Sequence, residues 1–166
     1  GPSAEIISKM GDKIEARKIA ASASVPTIPG SDGAVSEFKK ALEIAESIGF
    51  PLLIKASAGG GGRGMRVVES RDTLEQDLNE IMSEAEVAFG DSSVYIEKYL
   101  TDIRHIEVQL LADGDSCIHL GERDCTAQRR NQKLVEEAPS PALSNSQRND
   151  LCQSAVRLAT KVKYKS

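Results

Sequence analysis

Tryptophan is absent from this chain of 166 residues, and aromatic residues make up only 4% of it. Proteins that grip single-stranded nucleic acid stack bases on aromatic rings, so the sequence disfavours that class. Positive charge is not in excess either. Lys and Arg number 21 against 25 Asp and Glu, which gives a net charge of -4 and an isoelectric point near 5.3. A dedicated nucleic-acid binder usually has the opposite balance. With only two histidines, His105 and His119, a histidine-rich metal site is not expected. The three cysteines, Cys117, Cys125 and Cys152, are widely spaced and include no C-x-x-C pair. That pattern argues against a disulfide scaffold and a thiolate zinc site, and for a reducing compartment. No apolar run approaches the ~20 residues of a membrane span. The longest, over residues 48–54, contains Gly49 and Pro51. The opening residues do not read as a signal peptide.

What is present describes a soluble globular chain. Hydrophobic residues are 40% and charged residues 28% of the sequence, enough apolar material to build a core. Residues 11–23 read as a helix with Asp12 as a cap, and Pro26 breaks the pattern. Residues 25–33 form a turn-rich link. Residues 36–48 read as an amphipathic helix with Phe38, Leu42, Ala45 and Ile48 on one face, ended by Gly49. Strands are expected over 51–56, 65–69 and 93–99, and a second helix over 71–88 with Leu74, Leu78, Ile81 and Ala85 in register. The segment 26–99 therefore reads as a β-α-β-β-α-β-like unit, with a boundary near 99–102. Strands follow at 106–111 and 117–120, then a polar stretch to Lys133. A helix over 146–162 runs toward the chain end with no Gly or Pro to stop it. Such a helix looks cut, so the chain reads as a piece of something longer.

The strongest motif is Lys55-Ala-Ser-Ala-Gly-Gly-Gly-Gly-Arg-Gly-Met65. It contains G-x-G-x-x-G formally, but a strand follows it where the dinucleotide fingerprint needs a helix. It is not a Walker A loop, because Gly64 is followed by Met65. Strand, glycine loop, strand is the pattern of a hairpin lid over phosphates. Gly59, Gly60, Gly61, Gly62 and Gly64 would let backbone N–H groups approach phosphate oxygens, and Lys55 would add an ammonium. The alternative is a flexible turn without a ligand, but five glycines in six positions are far more than a hairpin needs. A second segment, Val94-Tyr-Ile-Glu-Lys-Tyr-Leu100, could offer backbone groups to an adenine edge; alone, an ordinary edge strand explains it better. A third, Glu122-Arg-Asp-Cys-Thr-Ala-Gln-Arg-Arg-Asn-Gln-Lys133 with Glu136 and Glu137, is a solvated loop, an anion-binding patch or a nucleic-acid contact. Its interleaved acids disfavour the last. His105 alone reads as a structural histidine, and the cysteines as core fillers.

Together these segments resemble one family. Met10-Gly-Asp-Lys13, Thr27-Ile-Pro-Gly-Ser-Asp-Gly33, the Lys55–Met65 motif, Glu97-Lys-Tyr-Leu100, Arg104-His105, Gly121-Glu-Arg-Asp-Cys125, Gln128-Arg-Arg130 and Gln132-Lys-Leu-Val-Glu-Glu-Ala-Pro139 are similar to biotin carboxylases, in order and across essentially the whole chain. The resemblance implies an α+β, ATP-grasp fold. Residues 1–25 would be a linker helix, 26–99 the complete B subdomain (a small sheet with two helices, carrying the glycine-loop lid), and 100–166 the start of the following subdomain. It also implies a ligase that uses ATP to phosphorylate bicarbonate and passes the carboxyl group to biotin on a carrier domain. Lys13 and Lys55 match the lysines on ATP phosphates, and the glycines match the mobile loop. Glu97, Lys98 and Leu100 match the adenine hinge; His105, Gln128 and Asn131 match positions around the nucleotide and ribose. Lys133 matches the catalytic lysine near the reacting phosphate.

Mg²⁺ is implied with its ligands outside this chain, as are a biotin carboxyl carrier domain, a carboxyltransferase and a homo-oligomeric parent, with no nucleic-acid or membrane partner. A cytoplasmic location follows, or the mitochondrial matrix or plastid in a eukaryote. Asn131 departs from the His that many members carry there. The chain alone is expected to be inactive. The rivals are another ATP-grasp ligase, such as carbamoyl-phosphate synthetase, and a non-catalytic module that binds a nucleotide or a partner.

Overall fold

The computed structural model describes residues 1–57, 64–130 and 132–166. In chain order the elements are α1 (Ala4–Gly11), α2 (Lys13–Ser22), α3 (Phe38–Ile48), β1 (Leu52–Ala56), β2 (Met65–Val68), α4 (Arg71–Phe89), β3 (Val94–Lys98), β4 (Ile106–Ala112), β5 (Cys117–Asp124), β6 (Gln128–Arg129), β7 (Gln132–Lys133) and α5 (Asn145–Lys161). They divide into two compact units, one formed by Ile28–Thr101 and the other by Gly1–Thr27 with Asp102–Ser166. The fold is α+β, as the resemblance implies.

In the Ile28–Thr101 unit, a three-stranded antiparallel sheet runs in the order β2-β1-β3. Strand alternation in β1 turns Leu52, Ile54 and Ala56 inward. Leu52 and Ile54 share one core cluster with Val94 and Ile96 of β3, Val68 of β2 and the Leu74, Leu78 and Ile81 stripe of α4. That stripe is the helical register read from the sequence. On α3 the innermost residues are Ala41 and Ala45, while Phe38, Leu42 and Ile48 pack around the margin. The helix is turned relative to the expected face, because small side chains at the centre let its backbone approach the core closely.

The expected β-α-β-β-α-β order is corrected in one respect. The chain before α3 forms no strand, but it lies along the outer edge of β3 through bridges Gly30↔Glu97 and Val35↔Val94. Ser31 N donates to Ile96 O (2.7 Å) and Val35 N to Val94 O (2.7 Å). This covers an edge that would otherwise present unpaired backbone groups. Gly30 permits the approach: a Cβ there would lie 2.6 Å from Ile96 O and 2.7 Å from the Tyr95 hydroxyl oxygen.

In the other unit, Ser3 caps α1 by accepting from Ile6 N (3.3 Å). Asp12 caps α2 by accepting from Ile14 N (2.8 Å) and Glu15 N (2.9 Å), which is the cap expected from the sequence. β4 and β5 form an antiparallel hairpin on which α5 packs. β5 is longer than expected, since it continues through Gly121, whose φ of +94° only glycine adopts easily. α5 begins with a capping box between Ser144 and Gln147. It does not run on to the chain end. It stops at Lys161, and Lys163 takes the left-handed conformation at φ +52°. Tyr164 N then donates to Ala159 O (2.9 Å), so the terminus is a Schellman-type turn built without glycine. Ser166 beyond it pairs with Ala112 of β4 (2.8 and 2.9 Å).

The tight passage at Gly30 yields a stability test. Gly30→Ala drives a methyl group into a backbone carbonyl that cannot move without breaking the β3 edge. The substitution should cost about 1–3 kcal/mol, read as a lower urea midpoint at unchanged slope. An unshifted midpoint would contradict this description of the edge.

Candidate functional site

The residues singled out from the sequence fall into both units, and each group is described by itself. In the Ile28–Thr101 unit, Lys55 lies on β1 opposite Tyr95, and Glu97 lies on β3 opposite Leu53. The two therefore form a diagonal cross-strand pair on the sheet face away from the helices. Lys55 Nζ donates to Glu97 Oε1, with side chains 19% and 13% exposed. Both charges are largely withdrawn from water and satisfied by one another. Gly64 sits at φ +66°, where its carbonyl accepts from Ala56 N (2.8 Å) and closes the β1–β2 ladder. Gly59, Gly60, Gly61 and Gly62 lie outside the described residues. The Lys98 ammonium is used structurally: it donates to Phe50 O (2.7 Å) and Gly49 O (3.2 Å) past the end of α3. The backbone N–H of Lys98 is engaged as well, donating to Pro29 O (2.8 Å). Leu100 is exposed beyond β3.

In the other unit, Lys13 opens α2 and is exposed. His105, Gln128 and Lys133 come together around the start of the β4–β5 hairpin. β6 and β7 form a small antiparallel ladder that places Gln128 opposite Lys133. Asn131 lies outside the described residues. The Lys133 ammonium donates to Glu107 Oε2, and Arg123, directly opposite Glu107 on β5, donates through Nε to Glu107 Oε1 (2.7 Å). The two cations hold the Glu107 carboxyl down at about 2, with Lys133 the larger influence. The same pairing raises Lys133. His105 is pinned by its backbone: its N–H donates to Thr126 Oγ1 (3.0 Å), and its carbonyl accepts from Cys125 N (2.7 Å).

The sequence reading missed Glu107, Glu122, Asp124 and Arg148. Glu122 and Asp124 are 3% and 7% exposed, inward-facing residues of β5. Glu122 accepts from Arg148 Nε (2.6 Å) and Ser140 N (3.0 Å), and Arg148 holds its proton affinity down. Asp124 accepts from Thr126 Oγ1 (2.5 Å), Ser140 Oγ (3.1 Å) and Arg104 Nη1 (3.1 Å). These bonds, the Thr126 hydroxyl first, bring its carboxyl to about 2. The one available signal was the strand period itself: extending β5 past Gly121 puts both acids on the inner face. Glu107, Cys125 and Glu136 also bring one ligand atom each within 4.8 Å of one another. Glu107 is already neutralised by Lys133 and Arg123, and a buried thiol is a poor partner for a hard cation, so this cluster does not fit Mg²⁺.

The resemblance to biotin carboxylases implies an ATP-binding domain. Comparison with known proteins agrees. Residues 12–166 match the family described as the carbamoyl-phosphate synthase L chain, ATP-binding domain, and the chain belongs to that family. It is 52% identical over 165 residues to a biotin carboxylase of a Nostoc species, covering 99% of this chain and 37% of that protein. Among solved structures, it is similar to a biotin carboxylase from Campylobacter jejuni in a β,γ-ATP complex. That match has a TM-score of 0.89 and 47% identity, and covers 100% of this chain and 37% of that one. The biotin carboxylase domain of a Hydrogenobacter thermophilus 2-oxoglutarate carboxylase, with MgADP, ADP and bicarbonate, matches at TM-score 0.88 and 46% identity, with 100% and 37% coverage. The chain thus spans little more than a third of the length of these relatives. The fold is that of ATP-grasp biotin carboxylase domains.

The depressed carboxyls give a pH dependence. A carboxyl whose folded value lies below its unfolded one stabilises the fold above the unfolded value, and loses that contribution as pH falls through the folded value. Asp124 moves from 3.8 to about 2, so its contribution is complete above the unfolded value and is lost as pH falls toward the folded one. Stability should therefore fall between pH 4.5 and 2, and Asp124→Asn should flatten that fall while lowering stability at pH 7. Urea midpoints across this range test it; an unchanged slope in the variant would count against the Asp124 network.

Proposed function

We propose that the protein to which this chain corresponds is a biotin carboxylase, and that the chain supplies part of its ATP site. ATP would phosphorylate bicarbonate, giving ADP and carboxyphosphate. The carboxyl group would then pass to N1′ of biotin on a carrier domain, with release of phosphate. The observation that carries the reading is the match over the whole chain to a biotin carboxylase in complex with β,γ-ATP. Phosphoryl transfer depends on positioning and charge neutralisation rather than covalent catalysis by the protein. Lys55 and Lys133 suit that task, each being a strand-held ammonium with a carboxylate counter-ion that phosphate oxygens could replace. In this reading Lys13 and the glycines Gly59 to Gly62 and Gly64 also meet phosphate. The backbone around Glu97, Lys98 and Leu100 meets adenine, and His105, Gln128 and Asn131 meet the nucleoside. Mg²⁺ would accompany ATP, with its ligands supplied from outside this chain.

The proposed partners are the carrier domain, a carboxyltransferase and further copies of the parent protein. Among the described residues no helix is long and apolar enough to cross a membrane. A compartment that holds ATP, bicarbonate and reduced thiols fits the three free cysteines. The family description also covers carbamoyl-phosphate synthase, and acceptance of biotin separates the two activities.

The test is Lys55→Met in the full-length enzyme. Loss of one such charge contact should reduce bicarbonate-dependent ADP release by ~10²–10³-fold, measured at a temperature where circular dichroism shows the variant folded, since Glu97 loses its counter-ion. Release near the wild-type rate would contradict the role given to Lys55. Biotin-independent turnover that yields carbamoyl phosphate would overturn the choice of enzyme.

A further inference from the structure

Gln128 makes two contacts that together fix the chemistry of His105. Its Nε2 lies 2.8 Å from Cys125 O and 2.7 Å from His105 Nδ1. A backbone carbonyl can only accept, so the atom facing Cys125 must be the amide nitrogen. That nitrogen carries two hydrogens. One goes to Cys125 O and the other points at His105 Nδ1, which must then be the acceptor. In a neutral imidazole only one ring nitrogen accepts, so the ring proton sits on Nε2. The backbone of His105 is held at both its N–H and its carbonyl, and among the described residues the Gln128 amide is the hydrogen-bond partner at ring Nδ1.

We propose that Gln128 is a positioning residue that keeps His105 in the Nε2–H form, so that the ring presents a hydrogen-bond donor to an oxygen atom of the bound ligand. This rests on the nucleotide reading for the identity of the ligand, and goes beyond it in assigning the Gln128 Nε2 group, as distinct from its Oε1, to His105 and Cys125. The β6–β7 ladder gives the arrangement its rigidity. Gln128 is the first residue of β6, paired with Lys133, and Leu134 N donates to Ala127 O (2.8 Å) beside it. A side chain anchored in that way can hold a partner ring through a single bond.

The assignment is tested by long-range ¹⁵N–¹H NMR on the 166-residue chain without ligand at pH 8. Only two histidines contribute, and the His105→Asn spectrum identifies which signals belong to His105. The wild type should show a protonated Nε2 and an Nδ1 shifted by accepting a hydrogen bond. Gln128→Met should remove that shift. In Gln128→Glu the carboxylate can only accept, so the ring proton should move to Nδ1, and ATP affinity of the full-length enzyme should fall by about tenfold or more as the donor is lost. Two variants of different polarity, each checked by its amide spectrum, separate this from a folding defect. A wild-type ring protonated at Nδ1, or ring signals and ATP affinity both unaltered in Gln128→Met and Gln128→Glu, would overturn the proposal. If the ring signals behave as stated while ATP binds neither the full-length wild type nor the full-length variants, the proton assignment stands and the nucleotide reading is what fails.

Discussion

A carboxylate taken out of water must be met by a cation or by hydrogen bonds, and this requirement organises both units of the protein. In the Ile28–Thr101 unit, Glu97 is met by Lys55 across the sheet. In the other unit, Glu107 is met by Lys133 and Arg123, Glu122 by Arg148 and Ser140, and Asp124 by Thr126, Ser140 and Arg104. Ser140 is the hinge of the last two networks: its backbone N–H serves Glu122 and its hydroxyl serves Asp124. Remove either carboxylate and the residues around Ser140, the first turns of α5 and the end of β5 lose a shared anchor.

The same constraint links fold to chemistry. A lysine proposed for phosphate cannot stand in a low-dielectric sheet without a counter-charge. Glu97 and Glu107 provide it, and they hold each ammonium in place. Phosphate oxygens would exchange one anionic partner for another, so the change in electrostatic energy is a difference between two favourable pairings. That keeps binding reversible, as a substrate site requires.

Much of this was legible in the sequence, and the reasons are local. The α4 stripe of Leu74, Leu78 and Ile81 needs only helical periodicity, and the Asp12 cap needs only a side-chain acceptor before a helix. The glycine-rich segment stood out because backbone freedom in such quantity has few uses. Other features depend on tertiary structure and left no local trace. Glu122 and Asp124 look like solvated acids until β5 is carried past Gly121. The stop after Lys161 uses a left-handed lysine where glycine is usual, and the edge pairing of residues 30–35 appears only when β3 lies beside it. The partners of His105 and Lys133, Gln128 and Glu107, are 23 and 26 residues away in sequence.

The central claim is that carboxylate-held cations in this chain exchange their partners for phosphate oxygens. Calorimetric titration of the chain with adenosine, AMP, ADP and ATP, at low and at moderate salt, tests it most directly. Affinity should rise with each added phosphate and fall with salt, most steeply for ATP. Adenosine binding as tightly as ATP, or binding of ATP that is indifferent to salt, would contradict it.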